Sequence, residues 1–146
     1  MILAQKRNKP GFSLMEIMIA VAIMGILVAV AGPALFGYLA RAKVSKTKTE
    51  LRFFKQQIEQ FNADIGEYPK TLNDLVVCPK GLESKWFGGG VAGLKGAGYL
   101  KALNKDAWGN PYVYKPEGSD GNPYILYSYG PDKKNKKSMI NAWDLD

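Results

Sequence analysis

Residues 17–40, IMIAVAIMGILVAVAGPALFGYLA, contain no charged side chain, and no other property of the sequence limits its fold so strongly. These 24 positions exceed the roughly 20 needed to cross a bilayer as a helix. Lys6, Arg7 and Lys9 precede the run, and no acidic residue occurs before Glu16. The bias of Lys and Arg toward the cytoplasm predicts an inside N-terminus, with the rest of the chain across the membrane. A secretory signal also starts basic and turns apolar, but its apolar region is shorter and ends in an A-x-A-like cleavage site. Here, in KPGFSLMEIMIA, a glycine and polar residues come before the apolar run.

The chain has 146 residues, which is one domain's worth and excludes two independent enzyme domains. It contains no histidine, so His-based acid–base catalysis, Ser-His-Asp or Cys-His pairs and His-ligated metals are excluded. Its single cysteine, Cys78, excludes an intramolecular disulfide and any CxxC motif. Cys78 reads as a small hydrophobe rather than a reactive thiol, since only Lys80 stands near enough in sequence to lower its pKa.

Glu16 is the anomaly at the start of the apolar run. An acidic side chain in the hydrocarbon core costs on the order of 2.5–3.5 kcal/mol on insertion scales and needs a partner. At the headgroup level, one turn into the helix, it would instead complement the helix N-terminal dipole at little cost. The residues taken alone leave both readings open.

Lys9-Pro10-Gly11, then Phe12-Ser13-Leu14-Met15-Glu16, then a long apolar helix, resembles the class III signal of type IV pilins and type II secretion pseudopilins. The resemblance implies that a prepilin peptidase cuts between Gly11 and Phe12 and methylates the new amine of Phe12. Glu16 becomes the fifth mature residue, the family's position for a carboxylate that meets the N-terminal amine of a neighbouring subunit. Pairing a buried carboxylate with a buried ammonium offsets the desolvation cost of each. Removing the leader takes away Lys6, Arg7 and Lys9, leaving 17 basic against 13 acidic residues, or +4 instead of +7.

Gly25, Gly32 and Pro33 interrupt the apolar helix, and Pro33 predicts a kink or local unwinding near Gly32. The resemblance implies that the stretch between Gly25 and Pro33 melts when a subunit leaves the bilayer for a filament. Beyond Arg41, Val44, Leu51, Phe54, Ile58, Phe61 and Ile65 recur at helical spacing, which predicts an amphipathic helix with one core-facing stripe. Arg41, Lys43, Lys46, Lys48, Arg52 and Lys55 between them read as a solvated face and not as a nucleic-acid surface, because no aromatic or glycine pattern accompanies them. Gly66 is the expected C-cap.

The remainder is rich in turns. Thr71 is placed to cap a short helix over Leu72, Leu75 and Val76. A GxGxxG spacing at Gly88, Gly90 and Gly93 lacks a preceding strand, and the glycines at 96 and 98 argue against the phosphate-holding helix that the motif needs. Asp106-Ala107-Trp108-Gly109-Asn110-Pro111-Tyr112-Val113-Tyr114 resembles the D-P-W-G-N-P-Y signature of major pseudopilins. Trp-Gly-Asn-Pro predicts a turn, residues 112–114 and 124–127 two strands of a hairpin, and residues 140–143 a further short strand.

The closing segment resembles the family's S-x-G-x-D loop at Ser128, Gly130 and Asp132. In the family this loop typically binds calcium, which implies Asp132 and the backbone carbonyl of Tyr129 as ligands. The downstream acidic pair is missing, with Ser138 and Met139 in its place, and Lys133, Lys134, Lys136 and Lys137 crowd the loop. Calcium takes six to eight oxygens, several of them anionic, so the expectation is a loop without the family's metal, held by ionic contacts from the lysines to Asp144, Asp146 or a neighbour.

The resemblance implies an α+β, type IV pilin-like fold: a leader over residues 1–11, a transmembrane and filament-core helix over 12–40, an amphipathic continuation over 41–66, and a head over 67–146. That head is expected to be a small antiparallel sheet packed on the helix. The implied function is that of a structural, non-enzymatic subunit of a periplasmic pseudopilus in type II secretion, anchored in the inner membrane. Its partners would be other copies of itself, the prepilin peptidase, minor pseudopilins and the inner-membrane platform. A type IV pilin, a minor pseudopilin or a membrane-anchored binding module are the alternatives.

Overall fold

The computed structural model describes residues 11–86 and 98–145. The leader before Gly11, the GxGxxG spacing and Asp146 therefore lie outside the described residues. The chain divides into two compact units, one ending at Ala40 and the other beginning at Arg41. One helix, α1 (Leu14–Ile65), supplies residues to both.

Among the described residues of the first unit the large apolar side chains are all more than half exposed, from 51% at Leu39 to 85% at Phe12. The backbone is helical through Gly25, Gly32 and Pro33, so the unwinding expected near Gly32 is not seen. Pro33 removes one backbone donor at a cost of about 3 kcal/mol. Ala29, Ala31, Ala34 and Leu35 are good helix formers and carry the helix past Gly32 and Pro33.

In the second unit α1 buries Thr47, Leu51, Phe54, Ile58, Phe61 and Ile65, alternating steps of four and three along one face. The stripe begins at Thr47, and the expected Val44 is only half-buried. Thr47 is tolerated inside because its hydroxyl accepts the Ala107 N–H at 3.4 Å. Gly66 ends the helix with φ +92°, its N–H donating to the Asn62 carbonyl at 2.8 Å. That left-handed conformation costs glycine nothing and other residues on the order of a kcal/mol.

Beyond the cap, Leu72–Leu75 form a 3₁₀ turn that buries both leucines. The Asp74 carboxylate secures its start by accepting the N–H groups of Lys70 at 2.8 Å and Thr71 at 3.0 Å. Three short strands, β1 (Val113–Lys115), β2 (Ile125–Ser128) and β3 (Ile140–Asn141), form an antiparallel sheet in the order β1-β2-β3. Tyr114 pairs with Leu126, and Ser128 pairs with Ile140.

Such short strands hold only because aromatic side chains join them to α1. Tyr124 is fully buried. Its ring meets Tyr68, Tyr114 and Trp143 at centroid distances of 5.2, 5.8 and 5.0 Å, and its hydroxyl donates to Glu59 at 3.1 Å. The same device recurs along the helix, where Tyr112 donates to Glu50 and Tyr99 donates to Asp64. Buried phenols thus find charged acceptors at the margins of the apolar stripe. Arg52 and Lys55 are also not merely solvated: Arg52 donates to the Leu145 carbonyl, and the Lys55 ammonium lies 3.8 Å from the centre of the Trp143 ring.

Burial pushes the Tyr112, Tyr114 and Tyr124 phenols well above their ordinary value, with the Glu50 carboxylate adding to the effect at Tyr112 and Glu59 at Tyr124. A folded-state pKa above the unfolded one gives stability that is present below about pH 10 and lost as pH rises beyond it. Above that point stability is expected to fall by about 1.4 kcal/mol per pH unit for each such tyrosine. In an alkaline titration, tyrosinate absorbance from these side chains should appear together with loss of the near-ultraviolet circular dichroism. Complete ionisation of all eight tyrosines while that signal persists would contradict this account.

Candidate functional site

The start of α1 holds the residues expected to be processed and to direct assembly. Gly11, Phe12 and Ser13 precede the helix and are exposed, so the Gly11–Phe12 bond lies in non-helical, accessible backbone. Ser13 is the N-cap: its hydroxyl accepts the Met15 N–H at 3.3 Å, and its carbonyl accepts the Glu16 N–H at 3.0 Å. Glu16 closes the motif in reverse, its Oε2 accepting the Ser13 N–H at 3.1 Å. Two orphan amides of the first turn are satisfied by this reciprocal capping box. In the single subunit, then, Glu16 caps the helix, one of the two readings that the residues alone leave open. Ser13 is the capping residue that the sequence reading misses, although the S-x-x-E spacing in FSLME carries its signal.

Helix α1 is long and apolar enough to cross a membrane, and among the described residues nothing buries its apolar window. An exposed apolar surface of this extent is a lipid or protein contact, since isolated soluble domains do not leave such patches to water.

At the other end of the chain two turns are wired together. The Asp106 carboxylate accepts the N–H groups of Trp108 and Asn110 at 3.0 and 2.7 Å and the Ser128 hydroxyl at 2.6 Å. Ser128 in turn accepts the Gly130 N–H at 2.9 Å, and the Asn110 amide donates to the Gly130 carbonyl at 3.3 Å. Gly109, with φ +83°, gives the Trp-Gly-Asn-Pro turn its left-handed corner. The signature residues therefore act as a hydrogen-bonded clamp between that turn and the end of β2. Asp106 and Ser128 are almost completely buried, which makes each of these bonds costly to lose.

The expected calcium loop is the connection between β2 and β3. Asp132 is exposed and turns its Oδ1 onto the Lys134 N–H at 2.9 Å. The Tyr129 carbonyl accepts the Ser138 hydroxyl at 3.0 Å. No group of three or more acidic, histidine or cysteine side chains comes together among the described residues. Among the described residues Lys133, Lys134, Lys136 and Lys137 are exposed and make no ion pair with Asp144, which is likewise exposed, and Asp146, the other expected partner in the chain, lies outside the described residues. Surface pairing of flexible lysines returns only about 0–1 kcal/mol, too little to organise them.

Cys78 is half-buried, its Sγ 3.5 Å from the Pro79 carbonyl. Burial and the Glu83 carboxylate push its thiol up, away from the thiolate form that reacts.

Comparison with known proteins matches residues 6–32 to the prokaryotic N-terminal methylation motif and residues 34–143 to protein G of the type II secretion system. The type II secretion system core protein G of Pseudomonas aeruginosa is 36% identical over 149 residues, covering 96% of this chain and 99% of the relative. The protein of the same name from Escherichia coli K12 is 32% identical, covering 92% of this chain and 91% of the relative. A crystal structure of the major pseudopilin from the type 2 secretion system of enterohaemorrhagic Escherichia coli shares the fold, with a TM-score of 0.56 at 24% identity over 75% of this chain and 93% of that one. With a methylation motif at the capped, exposed start of α1 and the protein G match running from the middle of that helix to the end of the head, the chain belongs to the type II secretion system protein G family.

Proposed function

We propose that this chain is the major structural subunit of a periplasmic pseudopilus, held in the inner membrane until it is assembled and contributing no catalysis of its own. The observation that carries the reading is the uncovered apolar half of α1, directly preceded by the capped methylation motif. A surface that must leave water has two hosts in sequence: the bilayer before assembly and the helices of neighbouring subunits after it. The protein G match over residues 34–143 favours this role over that of a type IV pilin, a minor pseudopilin or a membrane-anchored binding module.

Processing follows from the chemistry at the N-terminus. A prepilin peptidase acting at the exposed Gly11–Phe12 bond would remove the basic leader and leave the Phe12 amine as substrate for methylation. In the assembled filament the Glu16 carboxylate exchanges its Ser13 N–H for the charged amine of a neighbour. Inside an apolar bundle a charge pair of this kind is strongly favoured over either ion left alone, which fixes the stagger between subunits. Extraction from the bilayer calls on the stretch between Gly25 and Pro33 to yield, because Pro33 already lacks one backbone hydrogen bond. The remaining partners of the pathway are minor pseudopilins and the inner-membrane platform.

Intact-mass and N-terminal measurements on the membrane-extracted protein should find a chain starting at methylated Phe12; an unprocessed leader on assembled protein would refute the reading. Glu16→Gln retains an acceptor for the Ser13 N–H but carries no charge, so the variant should insert and fold normally while filament yield falls at least about tenfold, the equivalent of losing roughly 1.4 kcal/mol per contact. Filaments at the normal level, counted by electron microscopy after shearing, would rule out the pairing role.

A further inference from the structure

The loop over residues 129–139 is organised around one hydroxyl. Ser138 Oγ lies 3.0 Å from the Tyr129 carbonyl oxygen, 2.6 Å from that of Asp132 and 2.7 Å from that of Asn135. Three carbonyls from the entrance and middle of the loop thus lie around a single side-chain atom near its exit. The backbone supplies the Asp132 and Asn135 carbonyls with donors as well: the Asn135 N–H at 3.2 Å and the Ser138 N–H at 2.9 Å. The Tyr129 carbonyl takes its donor from Ser138, so the hydroxyl ties the loop's exit to its entrance.

The chain closes tightly at that point. Gly130 has φ +71°, and a Cβ built on it would fall 2.0 Å from the Ser138 carbonyl oxygen. Only glycine allows the two ends of the loop to approach this closely. The Gly130 N–H is held from below by Ser128, itself fixed by the buried Asp106. The exit is secured by Asn135, whose side chain accepts the Lys137 N–H at 3.0 Å and caps the 3₁₀ turn Lys136–Ser138.

The residues present do not fit calcium. Converging carbonyls are good ligands for a hard cation, but such a site needs six to eight oxygens and several anionic ones. Here the central position is taken by a neutral hydroxyl, and Asp132, the loop's one carboxylate, caps its own turn through Lys134. Lys133, Lys134, Lys136 and Lys137 add four positive charges within the same segment, which raises the cost of placing a divalent ion there.

We propose that the Ser138 hydroxyl replaces a bound cation as the organising centre of this loop, making the head's fold independent of calcium. The hydroxyl has one hydrogen and donates to one of the three carbonyls at a time; the Asp132 and Asn135 carbonyls keep their backbone donors, and the bond to the Tyr129 carbonyl closes the loop. Because the hydroxyl is covalently part of the chain, the closure does not vary with the divalent-ion content of the surrounding compartment. The lysines are a consequence, since a segment with no cation to hold is free to carry positive charge. The inference concerns the unassembled subunit and stands apart from the filament role.

The test is thermal unfolding of the full chain in detergent micelles, followed by circular dichroism, with calcium in excess and with a chelator in excess. The melting temperature should be the same in both, and terbium, a calcium mimic, should give no saturable emission sensitised by Tyr129. Ser138→Ala should lower the melting temperature by about 4–8 °C, as expected for loss of a bond worth about 1 kcal/mol in a domain of this size. Ser138→Thr, which keeps the hydroxyl, should recover most of that loss. A rise of more than about 4 °C in calcium, saturable terbium emission, or an unchanged melting temperature in Ser138→Ala would each overturn the proposal. Should Ser138→Ala fail to fold, the calcium and terbium titrations of the unaltered chain decide the matter.

Discussion

Burial of one stripe of α1 beneath a layer of tyrosines and tryptophans is the interaction on which the head depends. The sheet is too short to stand alone, since β3 has two residues and β1 three. Its strands are held by the side chains that project from them. Leu126 and Tyr124 join Ile58 and Phe61 of the stripe in one continuous core, and Trp143 locks over Tyr124 with its indole N–H on the Tyr124 carbonyl at 3.0 Å. The aromatic layer brings polar hydroxyls into an apolar interior, and α1 answers with carboxylates spaced along the edges of its stripe. A purely aliphatic helix face could not have accepted these tyrosines without leaving their hydroxyls unpaired.

The same helix carries the opposite solution before Arg41, where apolar residues surround it on all sides and none of the described residues covers them. This contrast is the most readable part of the sequence. An uncharged run states its own preference for an apolar host, and the three-four spacing from Leu51 to Ile65 states which face turns inward. The turn at Trp108-Gly109-Asn110-Pro111, the strands near Tyr112 and Tyr124, and the Gly66 cap are likewise legible, because each rests on local backbone preference.

Contacts made by polar atoms across long separations are not legible in this way. Thr47 looks like a surface residue until Ala107 is brought beside it, sixty positions later. Asp106 and Ser128 appear as motif letters, and their role as a clamp exists only once the turn and β2 are adjacent. In the sequence Ser138 marks the place of a missing acid, whereas its hydroxyl geometry depends on three carbonyls whose directions no periodicity encodes. Arg52 and Lys55 look like solvated charge because their partners, the Leu145 carbonyl and the Trp143 ring, come from the far end of the chain. Ser13 is the exception, a local partner at a recognisable spacing whose signal is masked by the more conspicuous Glu16.

The aromatic layer also gives the head an optical gauge of its own. Tyr124 lies 5.0 Å from Trp143 and Tyr99 lies 5.8 Å from Trp86, distances at which excitation absorbed by the phenol passes to the indole before it can be emitted. The two tryptophans belong to separate stretches of chain, one following the 3₁₀ turn after the helix cap and the other following β3. Tyrosine light is therefore quenched while both stretches are packed and returns when either lets go. The ratio of tyrosine to tryptophan emission follows the packing of the head without an attached label.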